Sequence, residues 1–504
     1  MPAKVQKSPL LSDGQFNVSK VVELNFFDLS GKKSKTKGTS NKSYHAELQV
    51  AKSGGKAQIY SMWGQTGGNQ TKDWRHYNSE AEAEKDFAKI IKSKKKKGYV
   101  EIDVAQRAYG SSEAKKITKA VTLIGTDKVA KKPVSSLEQP TQELLAQLFG
   151  STAQFVATTL KCPLGQLTNA QIDKGRDYLN DAKKIVNKKR KSKKDKEKLE
   201  ELTNEFYAAI PHNLGTGSRG QMTNLILDDL DKVVSKESDL DTLLDAKSVG
   251  AALNADAQVD AQYKELGAEL NWIDPQDPAF KFMSDYFLLS KVRGHGYDTA
   301  RVKNLWSMKR LDGENEYFTK NMERIAKECG AHSFVKEASD INKNAHLFAP
   351  EKRPDLSKDQ MELIRASNTW LCWHGTRSAN VIGISKKGLL IRPSGAIHTG
   401  SLLGDAKYFS HQSSKSLNYT DGGYWTGGRR NNNSRFMFLL DVSLGNMHKV
   451  DGPKFFKKPP KGFHSVYGKG GRGRYLRNDE MTTYDFTRQD TQSRIVYLFE
   501  ISDS

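Results

Sequence analysis

The sequence has only three cysteines in 504 residues, Cys162, Cys329 and Cys372, and no two of them form a CxxC pair. This spacing argues against a zinc finger or a disulfide framework and is typical of proteins in a reducing compartment. No apolar run approaches the roughly 18 residues that a membrane span requires, and the polar N-terminus contains no apolar signal core. We therefore expect an intracellular, soluble protein with no membrane partner and no bound metal.

The sequence also has fewer acidic than basic residues. The chain has 80 Lys and Arg against 59 Asp and Glu, which gives a formal net charge of +21 and a pI near 9.5. Such a surplus attracts polyanions directly and through counterion release, so nucleic acid is the favoured partner. A basic surface that only maintains solubility would explain the same count. At about 150 residues per domain, the length fits roughly three domains.

The N-terminal third changes character near residue 43. Residues 1–42 are predicted to be a flexible basic tail, because residues 31–42 are almost entirely Lys, Ser, Thr and Gly, although the apolar stretch 18–29 fits a strand packed on the next domain. Residues 43–130 predict a small α+β module. It begins with an alternating strand and contains a helix that starts after Ser79 and stops at Gly98.

Between residues 135 and 270 the apolar period becomes helical, and it predicts an all-α bundle in which Thr141 caps the first helix. The basic block 183–198 lies between two of these helices, where it is either an exposed loop or a nuclear-import or nucleic-acid-binding segment. Residues 275–504 are rich in Gly, Asn and Ser and contain short apolar strands, which predicts a mixed domain on an antiparallel sheet. The expected fold class is therefore α+β with several domains.

Chemistry-bearing residues cluster in this last domain. Residues 370–376 read Trp-Leu-Cys-Trp-His-Gly-Thr, a strand that ends in His374-Gly375-Thr376, and Gly375 allows a ligand to approach the backbone closely. Two tyrosines eleven positions apart, Tyr408 and Tyr419, are able to line an aromatic slot. Near the C-terminus, Glu480 enters a strand. Taken singly, each of these residues is a weak signal, and ordinary core packing or solvation is the simpler explanation for it.

In this order and spacing, the residues closely resemble the catalytic His-Tyr-Glu set of the poly(ADP-ribose) polymerases. The similarity extends to Leu-Asp-Val-Ser-Leu-Gly-Asn-Met at 440–447 and Lys-Gly-Phe-His-Ser-Val at 461–466. Segments 162–168 and 202–212 resemble the helical regulatory domain of that family. The Trp63-Gly64-Gln65 motif resembles its WGR domain, so the resemblance spans roughly residues 43–504 in family order.

The resemblance implies a role for each residue around NAD⁺. His374 would bond the adenine-side ribose, while the Gly375 backbone and the Ser416 hydroxyl would hold the nicotinamide carboxamide. Tyr419 would stack on the nicotinamide ring and Tyr408 would close its other side. Glu480 would bond the 2′-hydroxyl of the nicotinamide ribose and orient the acceptor. The same resemblance assigns further contacts, to NAD⁺ for Thr376, Gly383 and Arg392, and to nucleic acid for Trp63, Gly64 and Gln65.

These residue types suit the chemistry. Cleavage of the bond between ribose and nicotinamide builds an oxocarbenium-like cation, which a carboxylate beside the sugar stabilises. The same carboxylate can polarise the attacking hydroxyl as a general base, and two aromatic rings hold a planar leaving group in orientation. No metal is needed for this reaction, and NAD⁺ acts as the substrate.

Three positions depart from the family pattern. Gln65 stands where the family usually has arginine, which removes one cation from the expected nucleic-acid contact. The family's Gly-Leu-Arg-Ile is Gly-Leu-Leu-Ile at 388–391, so that either Arg392 takes over the NAD⁺ contact or the contact is lost. The family's Gly-Lys-Gly-Ile before the first tyrosine is Gly-Asp-Ala-Lys at 404–407. The short segment between His464 and Glu480 makes chain elongation a weaker expectation than NAD⁺ cleavage.

The resemblance implies a DNA-dependent NAD⁺ ADP-ribosyltransferase that makes poly(ADP-ribose) on itself and on other proteins in the DNA damage response. Its implied partners are DNA strand breaks and acceptor proteins including itself, and we expect a monomer away from DNA. The address would be nuclear in a eukaryote and otherwise cytoplasmic or at the nucleoid. Two alternatives stay open, namely transfer of a single ADP-ribose and a catalytically dead DNA-binding scaffold.

Overall fold

The computed structural model describes most of the chain in fifteen stretches, and all structural statements below refer to them. They are residues 16–29, 40–65, 70–102, 135–160, 167–212, 224–250, 252–253, 259–292, 295–329, 353, 356–391, 401–423, 434–471, 476 and 478–503. The chain divides into two compact units. The first comprises Met1–Lys132 and Thr152–Ala257, and the second comprises Pro133–Ser151 and Gln258–Ser504.

The first unit contains an antiparallel sheet in the order β4-β3-β2-β1-β5, with one helix packed on it. Alternation places Tyr44, Ala46 and Leu48 on one face, where they form a core with Phe87 of that helix. The elements are β1 (Phe16–Asp28), β2 (Ser40–Ala51), β3 (Ala57–Gln65), β4 (Gln70–Tyr77), α1 (Glu80–Lys96) and β5 (Val100–Ile102).

Strand β1 occupies the stretch that the sequence allowed to be either tail or strand. It pairs with β2 along its whole length and with β5 through residues 23–25, so it lies inside the sheet. The predicted domain limits at residues 43, 130, 135, 270 and 275 stay predictions.

Helix α1 begins and ends where its sequence predicts. The Ser79 side chain accepts a hydrogen bond from the Glu82 amide, which satisfies one unpaired donor of the first turn. Lysines fill the last turn, and Gly98 follows at φ 88°, a left-handed conformation that favours glycine.

Helices follow in the next part of the chain, as the 3.6-residue period predicts: α2 (Gln139–Thr159), α3 (Asn169–Val186), α4 (Lys193–Ala209) and α5 (Leu230–Ser248). Within the first unit, α4 contacts β1, and the Asn204 side-chain oxygen accepts a hydrogen bond from the Leu29 amide at 3.1 Å. The basic block 183–198 is not one loop, because its ends belong to α3 and α4. Lys183 pairs with Glu237 at 2.7 Å and is largely buried.

Thr141 was predicted to cap the first of these helices, but it lies inside the first turn of α2, which starts at Gln139. Its hydroxyl is buried and accepts a hydrogen bond from the Trp306 indole at 2.9 Å. A buried indole N–H requires an acceptor, so Thr141 serves tertiary packing within the second unit rather than helix initiation.

The second unit is built on two sheets. The first has the order β6-β7-β14-β10-β8 and the second has the order β11-β12-β13-β9. Its strands are β6 (Ala268–Trp272), β7 (Ala300–Arg310), β8 (Thr369–Gly375), β9 (Lys407–Phe409), β10 (Ser434–Ser443), β11 (Met447–Val450), β12 (Ser465–Gly468), β13 (Glu480–Thr483) and β14 (Ser493–Asp503). Its further helices are α6 (Val259–Glu265), α7 (Pro278–Leu289), α8 (Glu314–Cys329), α9 (Lys358–Ala366), α10 (Ser378–Lys387) and α11 (Ser413–Leu417). These elements confirm the expected α+β class.

The two sheets meet where β8 runs past the end of β9. Trp373 exchanges backbone hydrogen bonds with Ser410 at 2.6 and 3.1 Å, and its ring is fully buried against Tyr286 and Phe499. This junction fixes the carboxyl end of β8 beside the start of the second sheet.

Candidate functional site

His374 stands at the carboxyl end of β8, directly after the buried Trp373. Its Nδ1 lies 3.2 Å from the backbone oxygen of Tyr408. A carbonyl oxygen only accepts, so Nδ1 carries the proton and Nε2 presents a lone pair. Burial lowers the pKa of His374 below its usual value, which keeps the ring neutral near pH 7. The imidazole is therefore a fixed acceptor for a hydroxyl group.

Gly375 lies against the backbone of α11. A Cβ at this position would come within 1.8 Å of the Ser416 carbonyl oxygen, so no other residue fits without moving the backbone. Ser416 is itself buried, and its carbonyl accepts from the Tyr419 amide at 3.1 Å. Two residues later, Asp421 accepts from the Ser378 amide at 2.9 Å and so caps α10. These contacts tie the turn after β8 to the segment that carries Tyr419.

Tyr408 lies on β9, and two hydrogen bonds to neighbouring backbone groups hold its hydroxyl in place. It donates to the Gly404 carbonyl at 2.8 Å and accepts from the Leu403 amide at 2.8 Å. Burial raises the pKa of Tyr408 and that of Tyr419, and the negative charge of Glu480 raises both further. Both phenols therefore stay neutral, and both lie within electrostatic range of the same carboxylate.

Glu480 is the first residue of β13, which pairs with β9. In this pairing Thr482 of β13 lies opposite Tyr408 of β9. Its side chain is buried, with 8% of the residue exposed, and its Oε1 lies 3.0 Å from the Lys415 ammonium. Its other oxygen, Oε2, is buried and has no hydrogen-bond partner in the part of the chain that the structure describes. A buried oxygen left in this way requires an explanation, and a ligand hydroxyl supplies one.

Lys415 was not singled out from the sequence. It lies on α11, is buried, and donates to the Asp479 carbonyl at 2.9 Å as well as to Glu480. These two contacts fix both the carboxylate and the start of its strand. In the sequence this lysine looks like any other polar residue of a Ser-Ser-Lys-Ser segment, and only its burial identifies it.

The structure thus brings together His374, Gly375, Tyr408, Ser416, Tyr419 and Glu480 at the junction of the two sheets. Thr376 is buried at the same turn, where its hydroxyl accepts from the side-chain nitrogen of Asn380 at 3.3 Å, and Gly383 lies buried further along α10. Arg392 lies outside the described residues. The acid therefore lies in the same buried site as the imidazole and does not face open solvent.

A second, cationic site lies in the first unit, at the end of β3. Trp63 is half-buried and stacks on Tyr44 at 6.0 Å, and the ammonium of Lys94 lies 3.8 Å from the Tyr44 ring centroid. Burial and, to a smaller extent, the charges of Lys97 and Lys42 together lower the pKa of Lys94 to about 8. Gly64 and the exposed Gln65 complete the predicted motif beside this lysine cluster.

Among the described residues no group of three or more His, Cys, Asp or Glu side chains could hold a metal ion. No helix in the same stretches is long and apolar enough to cross a membrane.

Comparison with known families gives three matches in chain order. They are the WGR domain over residues 27–106, the poly(ADP-ribose) polymerase regulatory domain over 135–269 and the poly(ADP-ribose) polymerase catalytic domain over 293–495.

Similar proteins include the protein mono-ADP-ribosyltransferase PARP3 of Mus musculus, 28% identical over 469 residues, which are 86% of this chain and 75% of that protein. Poly [ADP-ribose] polymerase 1 of Danio rerio is 26% identical over 348 residues, 67% of this chain and 29% of the relative. Poly [ADP-ribose] polymerase 2-A of Oryza sativa subsp. japonica is 25% identical over 456 residues, 86% of this chain and 59% of that protein. The chain therefore spans less than a third of the zebrafish relative and three quarters of the mouse one.

Proposed function

Because this chain belongs to the poly(ADP-ribose) polymerase family and is an NAD⁺ ADP-ribosyltransferase, we propose that it modifies protein side chains, itself included, when it binds DNA breaks, and extends the first ADP-ribose into a polymer. This activity would serve the DNA damage response and would be nuclear in a eukaryote. Away from DNA we expect a monomer.

The observation that carries the catalytic proposal is the state of Glu480. Lys415 holds Oε1, while the buried Oε2 has no partner among the described residues and is free to accept a hydrogen bond from the 2′-hydroxyl of the nicotinamide ribose. In that position the carboxylate stabilises the positive charge that develops as the bond to nicotinamide breaks. It then polarises the incoming acceptor hydroxyl as a general base.

The other residues would position NAD⁺. The lone pair of His374 Nε2 accepts a hydroxyl of the adenine-side ribose, because Nδ1 is committed to the Tyr408 carbonyl. The nicotinamide ring lies between Tyr419 and Tyr408, and the carboxamide bonds the Gly375 backbone and the Ser416 hydroxyl. Thr376, Gly383 and Arg392 are proposed to make further contacts with NAD⁺.

DNA binding is proposed for the motif Trp63-Gly64-Gln65 and the lysines beside it. Gln65 supplies no charge, but Lys94 lies over the aromatic pair of the motif, and Lys42 and Lys97 are close enough to lower its pKa. Among the described residues, no carboxylate is one of the groups that shift the pKa of Lys94. A phosphate would stabilise such an ammonium, which supports a backbone contact that does not depend on base sequence.

One specific observation favours single transfer as the second candidate function. The mouse relative that covers most of this chain is named a mono-ADP-ribosyltransferase. The presence of Glu480 supports elongation instead, because members of the family that stop after one ADP-ribose often lack this glutamate. A dead scaffold is the third candidate, and the assembled site argues against it.

The test uses the full chain, labelled NAD⁺, and gels run with and without nicked or blunt DNA. A high-mass smear supports polymer, a sharp shifted band supports single transfer, and the absence of label supports the scaffold. Glu480→Gln should abolish the smear while much NAD⁺ binding remains. A full-strength smear from this variant would refute the role assigned to Glu480.

A further inference from the structure

A strongly cationic surface adjoins the proposed catalytic carboxylate, and none of the roles described above uses it. We call it the lysine surface and define it as residues 449–469. This stretch contains a single acidic residue and six exposed lysines, which are Lys449, Lys454, Lys457, Lys458, Lys461 and Lys469.

The sheet register places this surface close to Glu480. Across the second sheet, Val450 pairs with Gly468, and Gly468 pairs with Glu480, so the three residues form one row. Adjacent strands lie about 4.8 Å apart, which puts the end of β11 about 10 Å from the carboxylate strand. Lys469 follows this row, and its amide donates to the Val450 carbonyl at 2.9 Å.

A second set of contacts joins the lysine surface to Tyr408. The Lys454 amide donates to the Leu402 carbonyl at 3.0 Å, and Phe456 forms a bridge with Gly404. Gly404 and Leu403 are the residues that hold the Tyr408 hydroxyl. The lysines therefore extend outward from the wall of the site itself.

An aromatic ring stands among these charges. Phe463 is 39% exposed, and the ring of His448 lies at 5.0 Å in an edge-on arrangement that fixes its position. Exposed aromatic rings set among cations are the usual means by which proteins hold single-stranded nucleotide chains, since bases stack on the ring while lysines neutralise phosphates.

We propose that the lysine surface binds a chain of ADP-ribose units, with its lysines on the diphosphates and Phe463 under an adenine. This inference rests on the proposed function, and it favours ADP-ribose over DNA because the surface begins on the sheet that carries Glu480. A chain held there stays beside the carboxylate that must activate its terminal hydroxyl. The surface would thus favour elongation over release after one transfer.

The first experiment locates binding without depending on turnover. The full chain carrying Glu480→Gln is irradiated with a labelled ADP-ribose oligomer that contains a photoreactive azidoadenine, and the cross-linked peptides are identified by mass spectrometry. We expect cross-links within residues 454–463. Cross-links confined to other peptides would overturn the proposal.

The second experiment measures affinity by fluorescence anisotropy in the same Glu480→Gln background. Lys457→Gln/Lys458→Gln/Lys461→Gln should weaken oligomer binding at least tenfold at low salt. It should also flatten the slope of log affinity against log salt by about 2, because each phosphate contact on a single strand contributes about 0.7. A matched variant, Lys309→Gln/Lys320→Gln/Lys358→Gln, removes equal charge from exposed lysines elsewhere in the unit and should stay within twofold.

Equal effects of the two triple variants would overturn the proposal. The proposal would also be overturned if a photoreactive DNA strand with the same number of phosphates cross-linked to the same peptide and lost as much affinity in the Lys457→Gln/Lys458→Gln/Lys461→Gln variant. The lysine surface would then be a nucleic-acid-binding surface. Activity provides a separate readout. If the chain without substitutions incorporates no label from NAD⁺, the proposed function fails. The two binding experiments still decide the role of the lysine surface.

Discussion

Replacement of Gly375 by alanine gives the sharpest test of the site geometry. The added Cβ would lie 1.8 Å from the Ser416 carbonyl oxygen. Ordinary C···O contacts are about 3.3 Å or longer, so the end of β8 and α11 must separate by roughly 1.5 Å. All of α11 is buried and Gly375 is half-buried, which restricts this movement.

That separation would act on catalysis more than on folding. It shifts the proposed carboxamide contacts of Gly375 and Ser416 and also Lys415, which holds Glu480. A misplacement of about 1 Å can reduce the rate about 100-fold, so we expect kcat/KM for NAD⁺ to fall at least about 100-fold. Overpacking should lower the free energy of unfolding by about 1–3 kcal/mol.

The assay is the initial rate of label transfer from NAD⁺, with urea unfolding measured on the same samples. Gly150→Ala is the matched control, since a Cβ there meets nothing within 4 Å and the residue lies inside α2. It should keep full activity and gain about 0.5–1 kcal/mol of stability from the helix propensity of alanine. A Gly375→Ala enzyme with wild-type kcat/KM would refute the close packing described for this turn.

Three further outcomes are expected. Lys415→Met leaves the buried Glu480 carboxylate without its cation. The variant should lower kcat about 100-fold or more in the rate assay and should lower the free energy of unfolding in urea by about 3–5 kcal/mol. A variant with unchanged kcat would contradict the assigned contact. Because burial lowers the pKa of His374, KM for NAD⁺ should stay constant from pH 8 down to 6.5 and rise only at lower pH, and a rise already complete at pH 7 would exclude the neutral ring. Burial alone would lower the pKa of His45, but the carboxylates of Glu23 and Glu47 outweigh it and raise the value to about 10. The stability from this charged histidine is therefore complete below pH 6.5 and is lost as the pH rises toward 10, by at most about 5 kcal/mol in urea unfolding; His45→Gln should remove that pH dependence.

The sequence predicted well those elements whose signals are local. Helix α1 is framed by Ser79 and Gly98, and both signals act within one turn of the backbone. The strand that carries His374 is predicted by its apolar run and the glycine that ends it. In both cases the residues that decide the structure are neighbours in the chain.

The sequence could not reveal contacts that depend on burial or on distant partners. Lys415 resembles an ordinary surface lysine until the fold places it 3.0 Å from Glu480, 65 positions away. Thr141 is a residue type that often caps helices, but its hydroxyl accepts a hydrogen bond from the indole of Trp306, 165 positions away. The pairing of β9 with β13, which brings Tyr408 to Glu480, likewise follows from tertiary structure and leaves no local pattern.

The position of β1 has a practical consequence for how short the protein can be made. A chain begun at residue 43 would lose the strand that lies between β2 and β5 and would leave the amide and carbonyl groups along one side of β2 without partners. Unpaired strand edges of this kind recruit strands from other molecules. Such a truncation should therefore aggregate, whatever binding residues it still contains.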